Sequence, residues 1–202
     1  MGELSTAHIE SLTHEGHGVA HVDGKAVFIE GALPGETVLY RTLNRGKTYD
    51  LGRMIEIVEA SPDRVTPRCP YFGVCGGCSL QHLRAEAQLP AKQKILHDNL
   101  TRIGKVEPES WLPALDGPHW GYRRKARLGA RVVQKKGGVI VGFREKRTAY
   151  LTALASCEVL HPRVSALLPA LRNLIATLST PNRVPQIEVA VGDNATAFVF
   201  RH

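Results

Sequence analysis

Three cysteines stand in the run Cys69-Pro-Tyr-Phe-Gly-Val-Cys75-Gly-Gly-Cys78, and the one remaining cysteine is Cys157, 79 positions further on. If all four act together, the fold must carry that distant thiol to the loop. A C-x5-C-G-G-C cluster with one remote thiol suits a four-thiolate metal site and uses every cysteine in the chain. Thiolate sulfur suits zinc and iron–sulfur clusters alike. Structural zinc sites usually carry two short chelating pairs. Three ligands in one glycine-containing loop plus a remote fourth is the commoner pattern for a [4Fe–4S] cluster, where glycines let backbone N–H groups approach the inorganic sulfides. Zinc and unmetallated buried thiols are the alternatives to this reading.

Compartment bears on that choice. The opening residues Met1-Gly-Glu-Leu-Ser-Thr-Ala-His8 hold no basic region followed by an apolar one, so no secretory leader is expected. No apolar run approaches the roughly 20 residues of a membrane span. The chain is expected to be cytoplasmic, where four cysteines point to metal or catalysis before disulfides.

Charge is unevenly spread. Residues 121–150 hold ten Lys or Arg against the single acid Glu145, while residues 1–60 hold five against nine. The net charge of +7 therefore arises in one 30-residue stretch, which reads as a polyanion contact. Arg123, Lys125, Arg127 and Arg131 recur at period two and would share one face of a strand, with Tyr122, Ala126 and Leu128 on the other and Arg124 nearby. A solvated strand face is the plainer reading. The shortage of acids to pair with these cations favours RNA.

The pattern predicts α+β architecture in three parts. Residues 1–60 read as a small OB-like β-barrel, with strands at 19–22, 26–29, 37–44 and 49–58. Asp23-Gly24 makes a type I′ hairpin signal between the first two. Residues 61–104 read as the cysteine loop followed by a helix from about Leu83 to Ile103, with Leu89, Leu96, Leu100 and Ile103 on one face and Pro90 interrupting. Residues 105–202 read as a central α/β domain. It comprises a hairpin of Tyr122–Val133 with Val139–Leu151, a helix from Pro162 to about Leu178, and strands at 186–191 and 195–200. The last strand stops next to the end of the chain, and its apolar run Ala195-Thr-Ala-Phe-Val-Phe200 expects a neighbour, so a truncated domain is expected. Gln81 and His82 read as supports of the cysteine loop. Trp111, Trp120 and Phe143 read as core, and His8, His14, His17 and His21 as surface or packing residues rather than ligands.

The loop with its continuation Ser79-Leu-Gln81-His82-Leu resembles the cluster loop of the ribosomal RNA uracil-C5 methyltransferases of the RumA/RlmD kind. So do Tyr122-Arg-Arg-Lys-Ala-Arg127 with Val141-Gly-Phe-Arg144, and Cys157-Glu-Val-Leu-His-Pro162, where that family places its fourth cluster cysteine. Residues 4–58 look like the family's TRAM domain. The resemblance implies a [4Fe–4S] cluster on Cys69, Cys75, Cys78 and Cys157, ribosomal RNA as partner, and S-adenosylmethionine as methyl donor in the complete enzyme. Family members continue into a Rossmann-like methyltransferase domain, which is expected to be absent here since no glycine-rich strand-to-helix turn of the nucleotide-binding kind occurs. The family's chemistry needs a cysteine to add to uracil C6 and a base to remove the C5 proton. With four thiols on metal none is left, so no catalytic or cofactor-binding residue is expected in this chain and it should be inactive alone. A monomer with no DNA or membrane partner is expected.

A non-catalytic RNA-binding adapter with a structural four-cysteine metal site is the main alternative. A radical-SAM methylthiotransferase also joins a TRAM domain to a cluster, but by C-x3-C-x2-C, which differs from the C-x5-C-x2-C found here. A tRNA uracil-C5 methyltransferase would share the chemistry and is expected to lack the cluster.

Overall fold

The computed structural model describes residues 4–202, so the first three residues of the stretch read above for a leader lie outside the described residues. The chain divides into two compact units. One holds the residues up to Pro67 together with Ser79–Asp116, and the other holds Arg68–Cys78 together with Gly117–His202. The cysteine loop is thus part of the second unit, although the segments on both sides of it belong to the first.

The first unit is built on β1 (Leu4–His8), β2 (Ser11–Leu12), β3 (His17–Val22), β4 (Lys25–Glu30), β5 (Thr37–Arg45) and β6 (Tyr49–Glu59). They form one sheet in the order β1-β5-β6-β4-β3-β2. Its ladders are antiparallel except for β4 with β6, which run parallel. The hairpin between β3 and β4 turns at Asp23 and Gly24, whose φ values of 52° and 78° are those a type I′ turn requires. Beyond β1 the backbone closes onto β3, where Glu10 N–H donates to the Val19 carbonyl at 2.8 Å. Inside lie Ala7, Ile9, Ala20, Val27, Ile29, Ala32, Val38 and Tyr40.

One charged pair is buried in this unit. Glu36, with no exposed surface, accepts the N–H of Leu33 at 2.8 Å and of Ser61 at 3.3 Å. It also takes a forked pair of bonds from Arg64, at 2.5 and 2.9 Å, and Arg64 donates further to the Gly31 carbonyl. Burial raises the Glu36 pKa, but Arg64 and the two backbone N–H groups outweigh it and hold the carboxyl below its ordinary range. The same segment is tied on by Arg84 to Asp63 and by the Val65 N–H to the His82 carbonyl at 2.9 Å. Gln81 and His82 are buried here, in the unit that does not hold the thiols.

The helix expected after the loop forms as α1 (Ala85–Asp98) and runs on as a wide π-turn through Asn99–Gly104, with Pro90 inside it. It buries no residue, and Leu96 and Ile103 of its apolar stripe are exposed. Trp111 is not core either. It is exposed and stacks on His97, with ring centroids 5.5 Å apart.

The second unit carries β7 (Lys125–Val133), β8 (Gly138–Gly142), α2 (Pro162–Ser165), α3 (Leu168–Ala176), β9 (Gln186–Val191) and β10 (Thr196–Arg201). Its sheet has the order β10-β9-β7-β8, antiparallel throughout. Ala126, Leu128, Ala130, Val139, Val141, Ile187, Val189 and Val191 point inward onto Leu168, Leu171 and Ile175 of α3. The residues between them on β7 and β9 are exposed or half-buried, so the sheet is covered by the helix on one face only.

That pattern corrects the fold class expected above. The barrel-like sheet is mixed, and the central region is not α/β. An α/β sheet is parallel and buried on both faces, whereas alternation of this kind marks an antiparallel sheet with one solvated face. The long hairpin is also shorter than expected. β8 ends at Gly142, where there is no room for a Cβ against the Thr152 carbonyl, and the chain folds back with Leu154 N–H on the Val141 carbonyl at 3.0 Å and Thr152 N–H on the Phe143 carbonyl at 2.9 Å.

Candidate metal centre and basic strand

All four cysteines lie in the second unit as free thiols, Cys75 buried and the others half-buried. The loop is shaped by its own backbone. Phe72 N–H donates to the Cys69 carbonyl at 3.1 Å, Cys75 N–H to the Tyr71 carbonyl at 2.9 Å, and Gly77 N–H to Cys75 Sγ at 3.4 Å. It also pairs briefly with the residues after β8. Gly76 N–H donates to the Arg144 carbonyl and Lys146 N–H to the Val74 carbonyl, both at 2.8 Å. A Cβ on Gly76 would stand 3.0 Å from that Arg144 oxygen, so a larger residue would crowd this close pairing.

Two contacts independent of any metal tie the segment of the distant cysteine to this loop, and a third ties it to α2. Tyr71 Oη accepts the Ala155 N–H at 3.0 Å, and Arg68 pairs with Glu158 at 2.7 Å. Cys157 N–H itself donates to Ser165 Oγ at 2.8 Å, fixing the segment to α2. Burial pushes the thiols of Cys69 and Cys75 up. Cys157 and Glu158 add to that at Cys69, and the other three cysteines do so at Cys75. Cys75 thus lies within electrostatic reach of the other three thiols, and Cys69 within reach of Cys157.

Among the described residues, no group of three or more His, Cys, Asp or Glu stands in a single-ion geometry. A tetrahedral zinc at about 2.3 Å from each sulfur would draw them to roughly 3.8 Å from one another. By donor chemistry alone, four thiols from one loop and one remote segment are of a kind an iron–sulfur cluster takes.

The basic residues split into sets. Lys125, Arg127 and Arg131 are exposed on β7, and Arg123 lies just before it, its N–H on the Val159 carbonyl at 2.8 Å. Arg123, Lys125 and Arg127 line a groove of 540 Å³ with Glu188, Ala190 and Val199. Arg131 does not line it. A Cβ on Gly129 would stand 2.6 Å from Leu151, so the Leu151 side chain lies on this face between Arg127 and Arg131. Arg124 points elsewhere, with its guanidinium 3.3 Å from Asp193.

Glu188 was missed in the sequence. Register places it opposite Arg127, whose Nε lies 3.9 Å away, and Arg201 forks onto it at 3.2 Å from both nitrogens. Arg201 first, then Arg127 and Gln186, hold its carboxyl below the ordinary range. The alternation Gln186, Glu188, Ala190 marked a solvent face, but only the pairing of β9 with β7 sets the acid among the arginines.

The TRAM domain family matches residues 2–39. A 23S rRNA (uracil(1939)-C(5))-methyltransferase RlmD of Nitrosococcus oceani is 58% identical over 201 residues, which is 99% of this chain and 45% of that protein. Its counterpart in Aromatoleum aromaticum is 54% identical over 199 residues, 98% of this chain and 46% of that one. The chain spans about half the length of the curated relatives it matches. Among solved structures, the Pyrococcus abyssi tRNA (uracil-54, C5)-methyltransferase in complex with S-adenosyl-L-homocysteine aligns at TM-score 0.64 and 21% identity. That alignment covers 97% of this chain and 46% of that one. At that identity the likeness is one of fold. It overturns the expected fold class, which set this chain apart from a methyltransferase fold; the fold shared is one of mixed sheets and few helices. The recognition resting on the cysteine loop and the arginine strand stands: over 99% of its length this chain matches the 23S rRNA uracil-C5 methyltransferases of the RlmD type, of which it spans about half.

Proposed function

We propose that this chain is the cluster-bearing, RNA-holding part of a 23S rRNA uracil-C5 methyltransferase. Cys69, Cys75, Cys78 and Cys157 would hold a [4Fe–4S] cluster. Arg123, Lys125 and Arg127 would hold RNA phosphates, flanked by Arg124 and Arg131. One observation carries the reading: a single compact unit contains all four thiols and the whole basic strand, joined through Arg123 and Phe143.

When bound, the cluster supplies a rigid link between the loop and the segment before α2. The residues around it do the rest. Tyr71 and Arg68 hold the two cysteine-bearing segments in register. Of the four thiols only Cys75 is buried from solvent. Arg123, Lys125 and Arg127 present positive charge along one strand face, where a phosphate backbone releases condensed counterions as it binds. Attack on uracil C6 needs the base out of its stack, and a surface that grips the flanking phosphates favours that extruded state. S-adenosylmethionine would be the methyl donor of the complete enzyme.

The test is salt dependence. Replacing Arg123, Lys125 and Arg127 by Gln should weaken binding to structured ribosomal RNA and flatten the slope of log K against log salt by about two to three units. An unchanged slope in a metal-loaded triple variant would place the RNA site elsewhere.

A further inference from the structure

The groove beside β7 holds a carboxylate where a plain polyanion site would hold only cations. Glu188 sits between Arg127 and Arg201 on the solvated sheet face, with Ala190 and Val199 as an apolar floor. An acid there opposes phosphate, so its presence calls for a donor on the ligand. A carboxylate has about four lone-pair sites. Oε1 accepts from Gln186 Nε2 at 2.9 Å and from Arg201 Nε at 3.2 Å, which fills it. Oε2 accepts only from the second Arg201 nitrogen, at 3.2 Å. Arg127 is too far at 3.9 Å to take a further site by hydrogen bonding. Oε2 thus keeps one acceptor position without a protein partner, on a residue that lines the groove.

One position excludes a bidentate partner such as the N1–H and N2–H edge of guanine, which needs both oxygens. It suits a single hydroxyl. With cations along the same groove to take the phosphates, we propose that Oε2 of Glu188 accepts the 2′-hydroxyl of a ribose, so that this groove selects RNA over DNA. The proposal rests on the RNA reading of the basic strand. Arg201 acts as a positioning residue, because its fork fixes the carboxylate and leaves that one oxygen site open.

The experiment compares binding of the metal-loaded 202-residue chain to a single-stranded RNA dodecamer and to DNA of the same sequence with uracil in place of thymine. The two probes then differ only at the 2′ position. The wild-type chain should prefer RNA by about tenfold, the worth of a hydrogen bond to a charged group. Glu188→Ala should bind the DNA probe more tightly, since it removes a negative charge, and should lose the preference. Glu188→Gln keeps the volume and one acceptor oxygen and should retain part of it. A wild-type chain with no preference, or a preference unchanged in both variants, overturns the proposal. If the preference is unchanged but Gln at Arg123, Lys125 and Arg127 still weakens binding, the RNA reading survives alone. If that triple variant binds as well as wild type, both fall together.

Discussion

The guanidinium of Arg123 lies over the ring of Phe143, 5.0 Å from its centroid. The same ring borders the cysteine loop, since a Cβ on Gly77 would stand 3.4 Å from it and 3.5 Å from Cys75 Sγ. One aromatic side chain therefore touches both the candidate metal loop and the first cation of the basic strand. Phe143→Ala should cost about 3 kcal/mol of stability, as expected for a core phenylalanine. At a temperature where the variant is still folded it should also weaken RNA binding, although it carries no charge. By linkage, RNA should raise the chelator concentration needed to remove half the iron at equilibrium, in step with the weakening of RNA binding on iron loss. Equal chelation midpoints with and without RNA would show that loop and strand act separately.

Cys157→Ser should release the cluster and lower amide protection in the second unit far more than in the sheet of β1 to β6. The ties from Tyr71 to Ala155 and from Arg68 to Glu158 remain in that variant, so the unit should loosen rather than unfold. Hydrogen exchange read by mass spectrometry checks both halves of this expectation. A uniform loss across the whole chain would contradict it.

Glu36 sets the acid behaviour of the first unit. Its carboxyl is held low in the folded chain, so it contributes stability that is fully present above the unfolded value of about 4.3 and is lost as pH falls through the folded value. Glu36→Gln leaves Arg64 half-buried with no counter-charge at this site and should destabilise the unit by about 3 kcal/mol at neutral pH. The variant should also show a flatter acid limb when stability is followed by urea unfolding between pH 6 and pH 3. An acid limb identical to wild type would assign the pH dependence to other carboxylates.

If the proposed cluster takes all four thiols, no cysteine remains to add to uracil C6. The purified chain should form no 5-methyluridine on ribosomal RNA when supplied with S-adenosylmethionine. Methylated product from this chain alone would mean that one of the four thiols is a nucleophile.

Local signals were legible where one residue type answers to one backbone requirement. Asp23-Gly24 turns the β3–β4 hairpin because both positions need positive φ. The turn residues Gly192-Asp193-Asn194 marked strands at 186–191 and 195–200, of which β9 buries alternate residues while β10 is at most half-buried. Pairing between distant strands was not legible. Nothing local marks β4 and β6 as a parallel ladder, or sets Glu188 opposite Arg127, because register is decided by the packed sheet. The stripe on α1 misled for a related reason: period shows which side of a helix is apolar, and Leu96 and Ile103 remain exposed here. Of the candidate centre, the four donors could be read directly. The contacts that tie the Cys157 segment to the loop could not, since Tyr71 and Arg68 carry no motif of their own.

Metal content is the most direct measurement. Protein purified without oxygen should contain four iron and four acid-labile sulfide per chain, the content of one [4Fe–4S] cluster, and both should be lost in Cys157→Ser. One zinc per chain with no iron or sulfide would contradict the account.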